Sequence, residues 1–174
     1  MVVHNTSANI QWKDGKIIFF SGGEKYANFV ALFDEAKLTE AFLTTGLNNI
    51  VVFGEAYGGN QQGQSWRYGK ELRFIAFDVK VSYLGQEEEI WLAVPQAEAL
   101  VKGLGLEFVH YTEVKTDLEI LDAERDAPSV QAVRNGVEGT HPRAGIVLRP
   151  LIELRTNSGG RIITKHKRDE ERET

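Results

Sequence analysis

Two β-rich runs, residues 8–12 and 16–20, are separated by Lys13-Asp14-Gly15. Asp-Gly between such runs marks a tight hairpin, because the favoured turn needs positive φ at both central residues, which Gly accepts freely and Asp tolerates. The chain therefore commits to antiparallel pairing within its first twenty residues. Further strand signals follow. Residues 49–53 lead into Gly54-Glu55-Ala56-Tyr57-Gly58-Gly59 and a polar loop that lasts to Gly69. Residues 72–83 are rich in aromatic and β-branched side chains, the pattern of a long buried strand. Glu87–Glu89 reads as a solvated turn before a short apolar run at 90–92, and residues 106–111 form another predicted strand. Residues 145–155 and 161–167 are expected to pair as a second hairpin around Thr156-Asn157-Ser158-Gly159-Gly160.

Helices are expected between these strands. Phe29, Leu32, Phe33, Ala36 and Leu43 share one helical face, which predicts a helix over about 29–45 with Asn28 at its N-terminus and Gly46 as its stop. Pro95 starts a short helix that ends at Gly103–Gly105, and residues 116–135 hold two modest helices around Pro128. With no repeat or linker in 174 residues, the fold class is α+β, one domain over residues 1–167 followed by a charged tail, 168–174. The chain has no Cys, which removes disulfides, thiolate metal sites and cysteine nucleophiles. No apolar run approaches the ~20 residues of a membrane span, and no leader pattern opens the chain, so a cytoplasmic protein is expected. Net charge is −5, so any nucleic-acid partner needs a local basic patch.

Three stretches carry candidate chemistry. Glu55 is a carboxylate at the end of an apolar strand between small residues. It is either a turn-stabilising acid or an acceptor for a ligand hydroxyl in a cleft that the small residues keep open. Lys165 and Lys167 alternate on a strand and so share a face. They are either a lysine-guarded edge or a pair of cations awaiting phosphates. The run Gly145-Ile146-Val147-Leu148-Arg149-Pro150 delivers one arginine. His4, His110, His141 and His166 are scattered, and no metal-spaced cluster is expected.

The order of these stretches, with Phe74-Ile75-Ala76-Phe77-Asp78-Val79-Lys80 between the first and the last, resembles the covalent nucleotidyltransferases. The likeness is to the adenylation domain of ATP-dependent RNA ligases of the phage and kinetoplastid-editing type. The opening His4-Asn5-Thr6-Ser7-Ala8-Asn9-Ile10 is similar to the surroundings of their nucleophile motif, Glu-Lys-x-His/Asp-Gly-Thr. The resemblance implies an ATP-grasp-like domain with antiparallel sheets and flanking helices around a nucleotide cleft, using ATP and Mg²⁺. In that family a lysine attacks the ATP α-phosphate, and the AMP then passes to an RNA 5′-phosphate before the ends are joined. By resemblance, His4, Asn5 and Thr6 lie at the nucleotide, Glu55 binds the ribose and Phe77 stacks on adenine with Asp78 beside it. Arg149 is the basic residue closing the fourth motif, and Lys165 and Lys167 contact the α-phosphate as catalytic cations.

This chain departs from the pattern. Val2 stands at the nucleophile lysine, Met1 at the preceding glutamate, Asn5 at the motif glycine and Ala144 at the glutamate before Gly145. The chain thus begins inside the nucleophile motif and is expected not to adenylate itself. A pseudoenzyme that keeps nucleotide or weak RNA binding fits these departures. So does a scaffold whose pocket was rebuilt for another small molecule or reaction, with His4, Asn5, Glu55, His110 and Ala144 as its lining and a His–carboxylate pair as its base.

Overall fold

In a computed structural model of the chain, residues 6–59, 65–82 and 88–168 are described. The first hairpin forms as expected: β1 (Thr6–Lys13) pairs antiparallel with β2 (Lys16–Phe20) through a two-residue turn, Asp14 and Gly15 having φ of 50° and 77°. β3 (Asn49–Gly58) takes the other edge of β1, β4 (Leu72–Ser82) pairs with β3, and β5 (Glu89–Trp91) closes an antiparallel sheet of order β2-β1-β3-β4-β5. Period-2 alternation divides this sheet into two faces. Ala8, Ile10, Trp12, Ile50, Val52, Ala56, Phe74, Val79 and Val81 form the core face.

Helices cover that face. α1 (Tyr26–Val30) and α2 (Glu35–Thr44) replace the single helix expected over 29–45. Asp34 breaks it: its backbone is extended and its side chain accepts from the Lys37 amide, so a new helix is capped there. The restart resets the phase. Leu38 and Phe42, four apart, turn inward, with Phe42 stacked on Trp12 at 5.3 Å, and Leu43 is left 63% exposed. Asn28 lies inside α1 and donates to Glu24 Oε1, so it is no cap. α4 (Val94–Gly103) starts at the expected proline and buries Ala97 and Val101.

Residues 106–111 form no ladder. Glu107 O accepts from Ala76 N, and Val109 N donates to Ala76 O, giving one parallel bridge beside β4. The β-bulge that follows in β4 ends the register there. After α3 (Ser65–Tyr68), α5 (Leu118–Asp126) and α6 (Val130–Arg134) flank Pro128 as expected, capped by Asp117 and Ser129. Gln131, fully buried on α6, sets its Nε2 2.8–3.1 Å from Tyr57 Oη, Glu107 Oε1 and Asn135 Oδ1, which share its two N–H donors, and this ties α6 to β3 and to the stretch beside β4.

A second, two-stranded sheet pairs β6 (Gly145–Leu148) with β7 (Thr164–Lys167). The strands are shorter than expected because Pro150 brings no amide to a ladder. The hairpin itself persists through an Arg155–Arg161 bridge, with Thr156 N donating to Gly160 O at its tip. Gly145 is needed for close pairing, since a Cβ there would meet His166 O at 2.6 Å.

Candidate functional site

The site is built on the opposite sheet face, on the part that α3 and α6 leave open, and a bulge in β4 creates it. Phe53 pairs with Asp78 but its neighbour Gly54 pairs with Ala76, so Phe77 is an extra residue. Core-facing Ala76 and Val79 are therefore separated by two residues, and both Phe77 and Asp78 turn to the open face. Phe77 is left 37% exposed, whereas Asp78 is only 4% exposed. Gly54 is obligatory opposite the bulge, because a Cβ would lie 2.3 Å from Ile75 O and 2.5 Å from the Phe74 ring.

Glu55 lies on the same open face, paired with Ser7 of β1 on one side and Ile75 of β4 on the other. It is in mid-strand, not at the strand's end, because β3 continues to Gly58. Gly54 and Ala56 point to the helix-covered core, so they do not hold open the space around Glu55; the alternation of the strand forbids it. The carboxylate is half-buried and its Oε2 has no hydrogen-bond partner among the described residues. Burial pushes its pKa up to about 7, opposed by the nearby positive charge of Lys165.

Lys165 reaches this face from β7. Lys165 and Lys167 pair across from Val147 and Gly145 and share one side of the ribbon, both exposed. His166 turns the other way, to Asp122 Oδ1 at 2.7 Å on α5. Neither lysine forms an ion pair among the described residues.

The ribbon is fixed to the sheet by an ionic cluster. Arg149 Nη1 lies 3.3 Å from Asp78 Oδ1, and its Nη2 lies 3.1 Å from Glu153 Oε2. Arg161 binds both Asp78 and Glu153, and its guanidinium stacks 3.9 Å from the centre of the Trp91 ring. Glu153 is held below the usual carboxylate range, first by its hydrogen bond with Arg161. Arg149 is thus engaged by acids at the edge of the cleft. Sequence reasoning missed Arg161, Glu153 and Trp91, which sit outside any motif and meet only when the ribbon folds back.

The remaining candidates are dispersed. Val2, His4 and Asn5 lie outside the described residues, and of Thr6 only the backbone is described, pairing with Ala56. Ala144 is buried, 2% exposed, just before β6. His110 lines a shallow cavity of about 90 Å³ with Arg143, Leu121 and Val147. Burial lowers its pKa, as do the charges of Arg134 and Arg143; no contact among the described residues joins it to Glu55. Among the described residues no group of three or more His, Asp or Glu gathers as metal ligands, and no helix is long and apolar enough to cross a membrane.

An antiparallel sheet with α1, α2 and α4 on one face, and with α3, α6 and a basic ribbon on the other, is the architecture of a nucleotidyltransferase domain, and solved structures bear this out. Three structures of Naegleria gruberi RNA ligase share the fold: a glutamate-to-alanine mutant with ATP and Mn (TM-score 0.69, 18% identity), the protein with PPi (0.66, 19%) and a lysine-to-methionine mutant with AMP and Mn (0.65, 19%). Each match covers 98% of this chain and 48–49% of the other, so the chain spans about half the length of these structures. Residues 4–167 match the RNA ligase family model, and the chain belongs to the RNA ligase family. No curated protein matches it in sequence.

Proposed function

We propose that the chain is a nucleotide-binding adenylation domain of RNA ligase type that holds an adenine nucleotide between the open sheet face and the β6–β7 ribbon and does not adenylate itself. The observation that carries this reading is the convergence on one face of three groups with unmet capacity. Among the described residues these are a buried carboxylate oxygen with no donor (Glu55), a partly exposed ring presented by a bulge (Phe77), and two exposed lysines (Lys165 and Lys167) without ion-pair partners. Glu55 accepts from a ribose hydroxyl, Phe77 offers a stacking platform, and the lysines meet phosphate oxygens, where fixed cations favour developing charge. A divalent ion such as Mg²⁺ would arrive on the phosphates and neutralise them, because Asp78 and Glu153 are already matched by arginines.

Val2 carries no amine, so the covalent half of the family reaction has no nucleophile at the position where the motif alignment places it. Intact-mass spectrometry after incubation with ATP and Mg²⁺ should find no AMP adduct, and Val2→Lys combined with Asn5→Gly and Ala144→Glu should gain one. A lysine-linked AMP on the unaltered chain would overturn the reading. Calorimetry tests the binding half: Glu55→Ala and Phe77→Ala should each weaken ATP binding roughly tenfold, the scale of one buried polar contact or one stacked base. RNA affinity should be weak and fall steeply with salt. Arg149 is tied to Asp78 and Glu153, and Arg168, just after β7, lies 3.7 Å from Asp126.

A further inference from the structure

We propose that Arg161 is a positioning residue that locks the β6–β7 ribbon onto the main sheet and so fixes Lys165 and Lys167 relative to Glu55 and Phe77. Its guanidinium joins three otherwise separate parts of the chain. Nη1 binds Asp78 Oδ2 on β4 at 2.5 Å, Nε and Nη2 grip the two oxygens of Glu153, and the flat face stacks on Trp91 of β5. Each end of this linkage is short. Asp78 is bonded directly to Phe77 in the bulge, and only three residues separate Arg161 from Lys165.

The ribbon needs such a device. The main sheet is fixed by a large apolar core, and Ile146 of β6 is buried, but Thr164, Lys165 and Lys167 of β7 are exposed, so hydrophobic burial does little to set where the lysine-bearing strand sits. The cluster that replaces it contains two arginines and two carboxylates, whose side chains are 5–18% exposed. Charges match within it, so the group is stable only as a set and has little left for a ligand. Arginine is required at position 161 because only a planar fork can grip one carboxylate with two nitrogens, reach a second carboxylate and stack on an indole at once.

The test uses Glu55 as a gauge, because Lys165 is the described side-chain charge that acts on it. Arg161→Lys keeps the charge but loses the fork and the stack. In a carboxyl NMR titration it should raise the Glu55 midpoint by at least half the rise caused by Lys165→Met. The double variant should rise no further than Lys165→Met alone. Trp91→Leu leaves every charge in place and should move the midpoint the same way by less; it carries the test if Arg161→Lys does not fold. An unchanged midpoint in the folded variant, or rises that add in the double variant, overturns the proposal. A second arm rests on the adenylate reading: Arg161→Lys should bind ATP roughly fivefold more weakly while adenosine affinity stays within about twofold. Equal losses for both ligands would overturn phosphate positioning. If the unaltered protein binds neither, the adenylate reading fails, and the titration still decides the role of Arg161.

Discussion

At the scale of single residues, Glu55 ties stability to pH in a direction opposite to most carboxylates. Its pKa rises on folding from 4.5 to about 7, so between those values the folded state holds more proton than the unfolded one. The stabilising contribution is therefore full below about pH 4.5 and is lost as pH climbs through 7. Allowing for partial exposure, the loss is on the order of 2 kcal/mol. Thermal melts should show Glu55→Gln more stable than the parent at pH 7.5 and little different at pH 4.5. A constant gap across that range would refute it. The sequence marked Glu55 and Phe77 through motif order, but not their state. Glu55's perturbation comes from being in mid-strand beneath the ribbon, and Phe77's exposure comes from a bulge, for which the run Phe74–Lys80 carries no Gly, Pro or Asn as a signal.

Elements were legible where chemistry is local. The Asp14-Gly15 hairpin, the start of α4 at Pro95 and the break between α5 and α6 at Pro128 each follow from one residue's backbone preference. The helix over 29–45 was misjudged because apolar spacing reads continuously across Asp34, whereas the cap decides the boundary. Asp34→Ala should therefore cost about 1 kcal/mol in urea unfolding, the usual worth of an N-cap. Gly54→Ala tests the bulge more severely. Its Cβ meets backbone at 2.3 Å, and β3 cannot shift without moving the Phe74 ring. A loss of roughly 3 kcal/mol is expected. A neutral result would mean that β4 relaxes around the methyl group, and Phe77 would then turn away from the open face.

Across the whole molecule, two kinds of cohesion meet at the cleft. Helices α1, α2 and α4 and the main sheet are held by a continuous apolar core, while the ribbon is held to that sheet by Asp78, Glu153, Arg149, Arg161 and Trp91. No local pattern in the chain announces the second kind, since residues 78, 149 and 161 become neighbours only through the tertiary path; motif order grouped the lysines with Glu55 and Phe77 without saying what holds them there. Units held by few apolar contacts open before those that share a core. Native-state hydrogen exchange should accordingly find the amides of β6 and β7 less protected than those of β3 and β4. Arg149→Met removes one of the two arginines on Asp78 and leaves Arg161 alone against two carboxylates. Exchange in β6 and β7 should then quicken by roughly tenfold or more, the scale of a broken, mostly buried ion pair, while β3 keeps its protection. If β3 quickened in step with the ribbon, the two sheets would be one cooperative unit, and the cleft would open only when the entire domain unfolds.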